Sequence, residues 1–332
     1  MDLRPSEYKD FTHFLLGKEA FSSVTAMVNA ALHITAGFRE LHNKGYSYQD
    51  LNDGNFFINP KDGSVLICDN DNVSEHGKNS GIAGKVRYMA PEIVSKKAKP
   101  GIHTDRFSLG VVLFLLWCRN HPLEGKSACP VCMDAKHEKK IYGQNPVFIF
   151  DPIDTSNAPV PGLHKGAINN WPFLPSYIQN EFIKVFSKDL LLNPGNRVIE
   201  QEWLRLFIRM RGEIFKCSCG EVYFADPLKP NPCPKCKKTF TFPMYIKTAR
   251  YNLPVHGRTK LFACHTERDS EDFETIMGNV SSTGNGFALK NASLRVWKLI
   301  VEGNESPLEI GLEAPLTKGM IINFGGSSAE VV

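Results

Sequence analysis

Asp50, Asn55 and Asp69 are the residues on which chemistry could rest. They fall in one stretch, Tyr46 to Asn72, as two acidic clusters, Asp50–Asn55 and Asp69–Asp71. Between the clusters, Asn59-Pro60-Lys61-Asp62-Gly63 has turn composition. Its flanks, Asn55–Ile58 and Ser64–Cys68, read as two short strands. A hairpin closing there returns Asp69 to the side of Asp50 and Asn55. Hard oxygen ligands that converge in this way suit Mg²⁺, which takes one or two carboxylates together with substrate phosphates. Taken alone, an Asp and an Asn five residues apart also read as a polar turn, so what lies downstream decides.

A second constellation is built from sulfur. Cys217-Ser218-Cys219-Gly220 and Cys233-Pro234-Lys235-Cys236 are two close pairs separated by a hairpin-length segment. Four thiolates on two tight knuckles are what tetrahedral Zn²⁺ requires, and a site closed by four cysteines is structural rather than catalytic. Gly220 permits the turn around the metal, and Tyr223 and Phe224 begin a strand. The alternative is a pair of reducible disulfides. A further pair, Cys129 and Cys132, is half a zinc site that Cys118, His121 or His137 could complete; the plain reading is a surface loop with free thiols.

These residues need elements to hold them. From Ala20 to Lys44, Val24, Met27, Val28, Ala31, Ile34, Phe38 and Leu41 recur at spacings of three and four, one face of an amphipathic helix that Gly45 stops. A shorter helix is expected over Glu7–Leu16. The apolar run Phe107 to Cys118 is too short to span a bilayer and reads as a buried helix. Val147–Phe150 reads as a buried extended run, and Trp203, Leu204, Phe207 and Ile208 as the packed face of a later helix. Past Pro243, short β-like runs are expected at Lys260–Cys264, Gly286–Leu289, Arg295–Val301, Leu308–Leu312 and Met320–Phe324. Turns such as Thr283-Gly284-Asn285-Gly286 and Glu302-Gly303-Asn304 separate them, which suggests a β-sandwich.

The chain has 332 residues, enough for two or three domains, and its 42 % hydrophobic and 22 % charged content is that of ordinary globular chains. A net charge of +4 gives no strong nucleic-acid or membrane bias. Nine cysteines without a secretory signal favour reduced thiols and metal over disulfides, so a cytoplasmic protein is expected.

The Tyr46–Asn72 stretch resembles the catalytic core of a protein kinase, H-R-D-L-x-x-x-N followed by D-F-G. Here it reads Tyr48-Gln49-Asp50-Leu51-Asn52-Asp53-Gly54-Asn55, then Asp69-Asn70-Asp71. Three further elements follow in the family order: Tyr88-Met89-Ala90-Pro91-Glu92, Asp105 at the opening of the apolar helix, and Arg197 after Asn193-Pro194-Gly195-Asn196. The resemblance implies that Asp50 orients the substrate hydroxyl and that Asn55 and Asp69 hold Mg²⁺ on the phosphates of ATP. It implies that Asp105 anchors the catalytic-loop backbone and that Arg197 pairs with Glu92. Several positions depart from the family. Gln49 stands for the Arg that meets a phosphorylated activation loop, so activation without loop phosphorylation is expected. Tyr48 stands for His, Asn70-Asp71 for Phe-Gly, and Asn52 for the Lys that often steadies the transferred phosphate. The Asp69-Asn70-Asp71-Asn72 run resembles an atypical bacterial kinase group.

The resemblance covers about residues 1–212, the C-terminal lobe; the glycine-rich loop, strand Lys and helix Glu of the N-terminal lobe do not appear. A fragment of a longer kinase, inactive alone, is therefore expected. The four-cysteine segment resembles a zinc ribbon. Leu253-Pro254-Val255-His256-Gly257-Arg258, Ala288–Asn291 and Lys318–Gly325 resemble a degenerate forkhead-associated domain, which implies phosphopeptide binding through Arg258 and Asn291; His265 reads as structural.

The expectation is thus a multidomain α+β chain: a mainly helical kinase C-lobe at 1–212, a small four-cysteine zinc ribbon at 213–244 and an all-β sandwich at 245–332. The implied function is an atypical Ser/Thr protein kinase using ATP and Mg²⁺, with structural Zn²⁺ and a protein substrate or phosphoprotein partner. The alternative is a non-catalytic pseudokinase scaffold. Nucleic acid through the ribbon is not favoured, and no membrane partner is expected.

Overall fold

In the computed structural model, which describes residues 5–78, 84–129 and 134–332, the hairpin around Asn59–Gly63 forms. Its strands Phe56–Ile58 and Val65–Ile67 pair antiparallel, with Phe56 opposite Ile67 and Ile58 opposite Val65. Lys9–Asp10 pairs with the other edge of Phe56–Ile58. Asp10 then caps a helix at Phe11–Leu15 by accepting from the Thr12 N–H at 2.8 Å, so the helix expected over Glu7–Leu16 starts later, behind a strand. At the hairpin tip Gly63 adopts φ +79°, and a Cβ there would lie 1.9 Å from the Ala26 carbonyl oxygen. The turn is seated against the first turn of the next long helix, and glycine is what lets it approach.

That helix runs Val24–Asn43, with the Ser23 hydroxyl accepting from the Ala26 N–H at 3.1 Å as its N-cap. Val28, Ala31, Ile34 and Phe38 are buried as their spacing predicts. Ala26, Ala30, Leu32, Thr35 and His42 are buried as well, because neighbours cover the helix on more than one side. The apolar run lies within the helix Ile102–Cys118, buried almost all round. Around it pack Phe148, Trp171, Phe182 and Phe186; Phe114 meets Phe182 edge-on at 5.2 Å and Phe148 at 5.4 Å. Val147–Phe150 forms no strand, yet Phe148 and Ile149 are buried in this cluster. Trp203, Leu204, Phe207 and Ile208 are buried on the helix Glu200–Gly212.

The chain divides into two compact units, Met1–Phe207 and Ile208–Val332. The second opens with two small hairpins, Ile214–Lys216 with Val222–Phe224 and Asn231–Pro232 with Thr239–Phe240. Two antiparallel sheets follow. The larger has the order Asn252–Pro254, Tyr245–Lys247, Ser328–Val331, Ile321–Asn323, Trp297–Val301, Asn304–Leu308. The smaller has the order Lys260–Phe262, Ile276–Thr283, Gly286–Asn291, Glu313–Pro315. Gly278 brings them close: a Cβ there would stand 3.0 Å from the Trp297 ring.

The strand expected to reach Cys264 ends at Phe262 and gives way to a helical turn, Ala263–Thr266. The strand expected at Leu308–Leu312 lies instead at Asn304–Leu308. That strand is polar and contains Pro307, which a sheet edge tolerates because one side of its backbone needs no ladder partner. No helix among the described residues is long and apolar enough to cross a membrane.

Candidate functional site

Asp105 sets the backbone from which the site is built. Its carboxylate accepts from the Tyr48 N–H at 2.6 Å and the Gln49 N–H at 3.1 Å. Asp105 is itself buried, so these charge-assisted bonds hold the loop firmly. Gln49 takes a positive φ of 65°, turning the chain toward Asp50. The Asp50 carbonyl then accepts from the Asn52 amide at 3.0 Å and the Asn55 amide at 2.8 Å. Across the hairpin the Cys68 N–H donates to the Asn55 carbonyl at 2.9 Å, and the Tyr48 hydroxyl donates to the Cys68 carbonyl. Asp69 follows in left-handed geometry, φ 60° and ψ 57°, with its side chain exposed. The structure therefore brings Asp50, Asn52, Asn55 and Asp69 to one edge of the hairpin.

Their charges interact. Burial, with the charge of Asp69 adding to it, raises the Asp50 carboxyl against hydrogen bonding from Asn52 and the charge of Lys85. Asn55 donates its side-chain nitrogen to the Asp50 carbonyl, so its carboxamide oxygen is the hard donor it could offer a metal ion. Gln49 donates to the Ser47 hydroxyl at 3.0 Å and the Lys78 carbonyl at 2.6 Å, uncharged contacts at a position that the resemblance gives to Arg.

Residues 5–204 match the family profile described as the protein kinase domain. The chain belongs to the protein kinase family. Among curated kinases, it is 25 % identical over 149 residues to the carbon catabolite-derepressing protein kinase of Saccharomyces cerevisiae, covering 45 % of this chain and 18 % of that one. It is 34 % identical over 92 residues to CBL-interacting serine/threonine-protein kinase 13 of Arabidopsis thaliana, covering 26 % and 18 %. Beta-adrenergic receptor kinase 1 of Mesocricetus auratus is 32 % identical over 106 residues, covering 31 % and 15 %. The kinase thus spans less than a fifth of the length of each of these relatives.

Within this kinase domain, Arg197 grips Glu92 with both terminal nitrogens, at 2.7 and 2.8 Å. Three residues that the sequence reading did not single out stand behind Asp105. His42 meets Asp105 at 3.2 Å and Glu200 at 2.9 Å, and Arg106 meets Glu200 at 2.9 Å. Burial opposes a charge on His42, but hydrogen bonds to Asp105 and Glu200 outweigh it and raise its pKa. Burial likewise opposes the Glu200 carboxylate, yet His42 and Arg106 pull it down to about 2. Lys85 was also missed: it donates to the Asn52 side-chain oxygen at 2.8 Å.

Cys217, Cys219, Cys233 and Cys236 converge, all Sγ atoms lying within 4.8 Å of one another. Cys217 and Cys236 are 3.7 Å apart, as are Cys219 and Cys233. A tetrahedron with Zn–S near 2.3 Å has sulfur edges of about 3.8 Å, so the donor set fits Zn²⁺. Gly220 turns at φ +91° and Lys237 at φ +61°, one at each knuckle. The Cys129/Cys132 pair is not assembled from the described residues, because Cys132 lies outside them. Of its suggested partners, His121 is committed elsewhere. It donates to the Arg87 carbonyl at 2.7 Å and accepts from the Leu123 N–H at 3.1 Å, and burial lowers its pKa to about 4. Cys118 is enclosed in the apolar helix.

Arg258 is exposed, whereas Asn291 is fully buried. The Asn291 amide donates to the Arg295 and Leu308 carbonyls at 2.8 and 3.0 Å, and its oxygen accepts from the Ser293 N–H and hydroxyl. Asn291 thus ties loops together. His265 accepts from the Phe262 N–H at 3.0 Å inside the same unit, in keeping with a structural histidine.

Proposed function

We propose that this kinase domain transfers the terminal phosphoryl group of ATP to a Ser or Thr hydroxyl of a protein, and that it is of the atypical kind marked by Asp69-Asn70-Asp71-Asn72. Asp50 orients the hydroxyl and takes its proton. The hydroxyl oxygen bonds to the γ-phosphorus as the bond to the bridging oxygen breaks, and that electron pair leaves on ADP. Asn55 and Asp69 fit Mg²⁺ as a hard-oxygen donor pair, and the ion would neutralise phosphate charge there. Asn52 holds the Asp50 carbonyl and the turn that presents Asn55. The observation that carries the reading is Asp105 fixing the Tyr48–Gln49 backbone so that Asp50, Asn55 and Asp69 converge. Gln49's neutral contacts support activation without loop phosphorylation.

We further read the four cysteines as a structural zinc ribbon, and residues 245–332 as a forkhead-associated-like sandwich that recruits a phosphoprotein. Arg258 is its exposed contact, with Asn291 shaping the loops behind it.

The test is Mg²⁺-dependent transfer from radiolabelled ATP to protein by the full product of the native gene, beside an Asp50→Asn variant. Transfer that is lost in Asp50→Asn is expected. No transfer together with no nucleotide binding would replace this reading with a non-catalytic scaffold.

A further inference from the structure

An Asp50 carboxylate that takes a hydroxyl proton must lie within hydrogen-bond reach of that hydroxyl. The phosphoryl group being transferred is then next door, with charge spread over its outer oxygens. Asp50 and Asp69 are acidic side chains at this edge, so a cation besides the Mg²⁺ that Asn55 and Asp69 could hold would help to face those oxygens.

Lys85 meets that need by position. Gly84 lies against the base: a Cβ there would stand 3.1 Å from Asp50 Oδ1. The next residue sends its side chain across the loop, where Lys85 Nζ donates to Asn52 Oδ1 at 2.8 Å and stands 3.5 Å from Asp53. Gly54 lies beside this pair: a Cβ there would stand 3.2 Å from Asn52 Oδ1 and at an ordinary contact distance of 3.6 Å from Nζ. Asn52 orients Lys85 without neutralising it. The contact with Asp53 is long, and the lysine side chain keeps 59 % of its surface exposed, so solvent screens that pair and it contributes little stability of its own. The amide at position 52 thus aims a cation that comes from elsewhere in the chain.

We propose that Lys85, carried by the segment before Tyr88-Met89-Ala90-Pro91-Glu92, contacts the transferring phosphoryl group, with Asn52 as its positioning residue. Phosphate contact and seating of that segment are therefore one event. The proposal rests on the phosphotransferase reading.

The test compares the full native protein with Lys85→Met and Lys85→Arg. Calorimetry measures binding of Mg²⁺·AMP-PNP, which keeps a γ-phosphate, and of Mg²⁺·ADP, which does not. Wild type should prefer the AMP-PNP complex; Lys85→Met should lose that preference about tenfold, and Lys85→Arg should keep most of it. In phosphotransfer, Lys85→Met should lower kcat by about 100-fold with little change in the KM for protein substrate. Wild-type preference and kcat in Lys85→Met would overturn the proposal. So would an equal loss of both nucleotides with a lowered melting temperature, which marks a purely structural latch. Asp50→Asn separates the two readings: if wild type transfers nothing and Asp50→Asn changes nothing, the phosphotransferase reading fails. The γ-phosphate preference and its dependence on Lys85 are read by binding alone.

Discussion

Arg197 clasps Glu92 through two parallel bonds of 2.7 and 2.8 Å, and the same guanidinium donates to the His103 carbonyl at 2.9 Å. The Arg197 side chain is 4 % exposed and that of Glu92 11 %. Removing one partner strands a buried charge, so Glu92→Ala or Arg197→Ala should each cost about 3–5 kcal/mol. Urea unfolding should show a lower midpoint with an unchanged slope. The double variant should cost less than the sum, because the second change removes the stranded charge.

The buried cluster of His42, Asp105, Glu200 and Arg106 should make stability depend on pH in two directions. His42 titrates higher folded than unfolded, so its contribution is complete below its ordinary value of 6.5 and fades as pH rises through the folded value. Glu200 titrates lower, at about 2, so its contribution is present above 4.5 and fades as pH falls toward 2. Melting temperature against pH should therefore lose part of its acid limb in Glu200→Gln and part of its alkaline limb in His42→Gln. Both variants should speed hydrogen exchange at the Tyr48 and Gln49 amides, which Asp105 holds.

The four-cysteine cluster should hold one zinc ion per chain, and Cys233→Ser should lose it. Elemental analysis after dialysis checks this. Chelation should collapse amide signals of the hairpins around Gly220 and Lys237, because four unliganded thiols supply no fold of their own. Signals from residues packed on the Ile102–Cys118 helix should stay.

Two glycines with similar backbones should respond differently to alanine. Gly45 at φ +82° has nothing within 4 Å of an added Cβ, so Gly45→Ala should cost about 1–2 kcal/mol of left-handed strain. Gly63 at φ +79° has the same strain plus backbone at 1.9 Å. Gly63→Ala should therefore cost clearly more in chemical denaturation and should displace the hairpin that carries Asp69.

The edge that carries Asp50, Asn55 and Asp69 and the four thiols were legible because their chemistry demands particular residue types at short spacings, whereas the Arg197–Glu92 pair, 105 residues apart, was legible only through the kinase resemblance. Lys85 was not, since a lysine in a polar loop looks like any solvated charge until its side chain is seen across the loop. His42 and Glu200 meet over 158 residues of sequence, and no local pattern reports such a meeting. The strand Ile276–Thr283 was missed for a different reason. One of its faces is open to solvent and Gly278 stands where an apolar side chain would have marked the other. Its alternation is therefore weak, although it is the longest strand in its sheet.

The Asp105–His42–Glu200 chain of contacts also sets a clock on biosynthesis. The loop that carries Asp50 is made well before its last support, Glu200, which lies 158 residues after His42. At ribosomal speeds that gap is roughly 8–30 s. Throughout it the nascent chain presents Asp50 on a loop whose anchor lacks Glu200, so the active edge is finished only when the last helix of its lobe has emerged and docked.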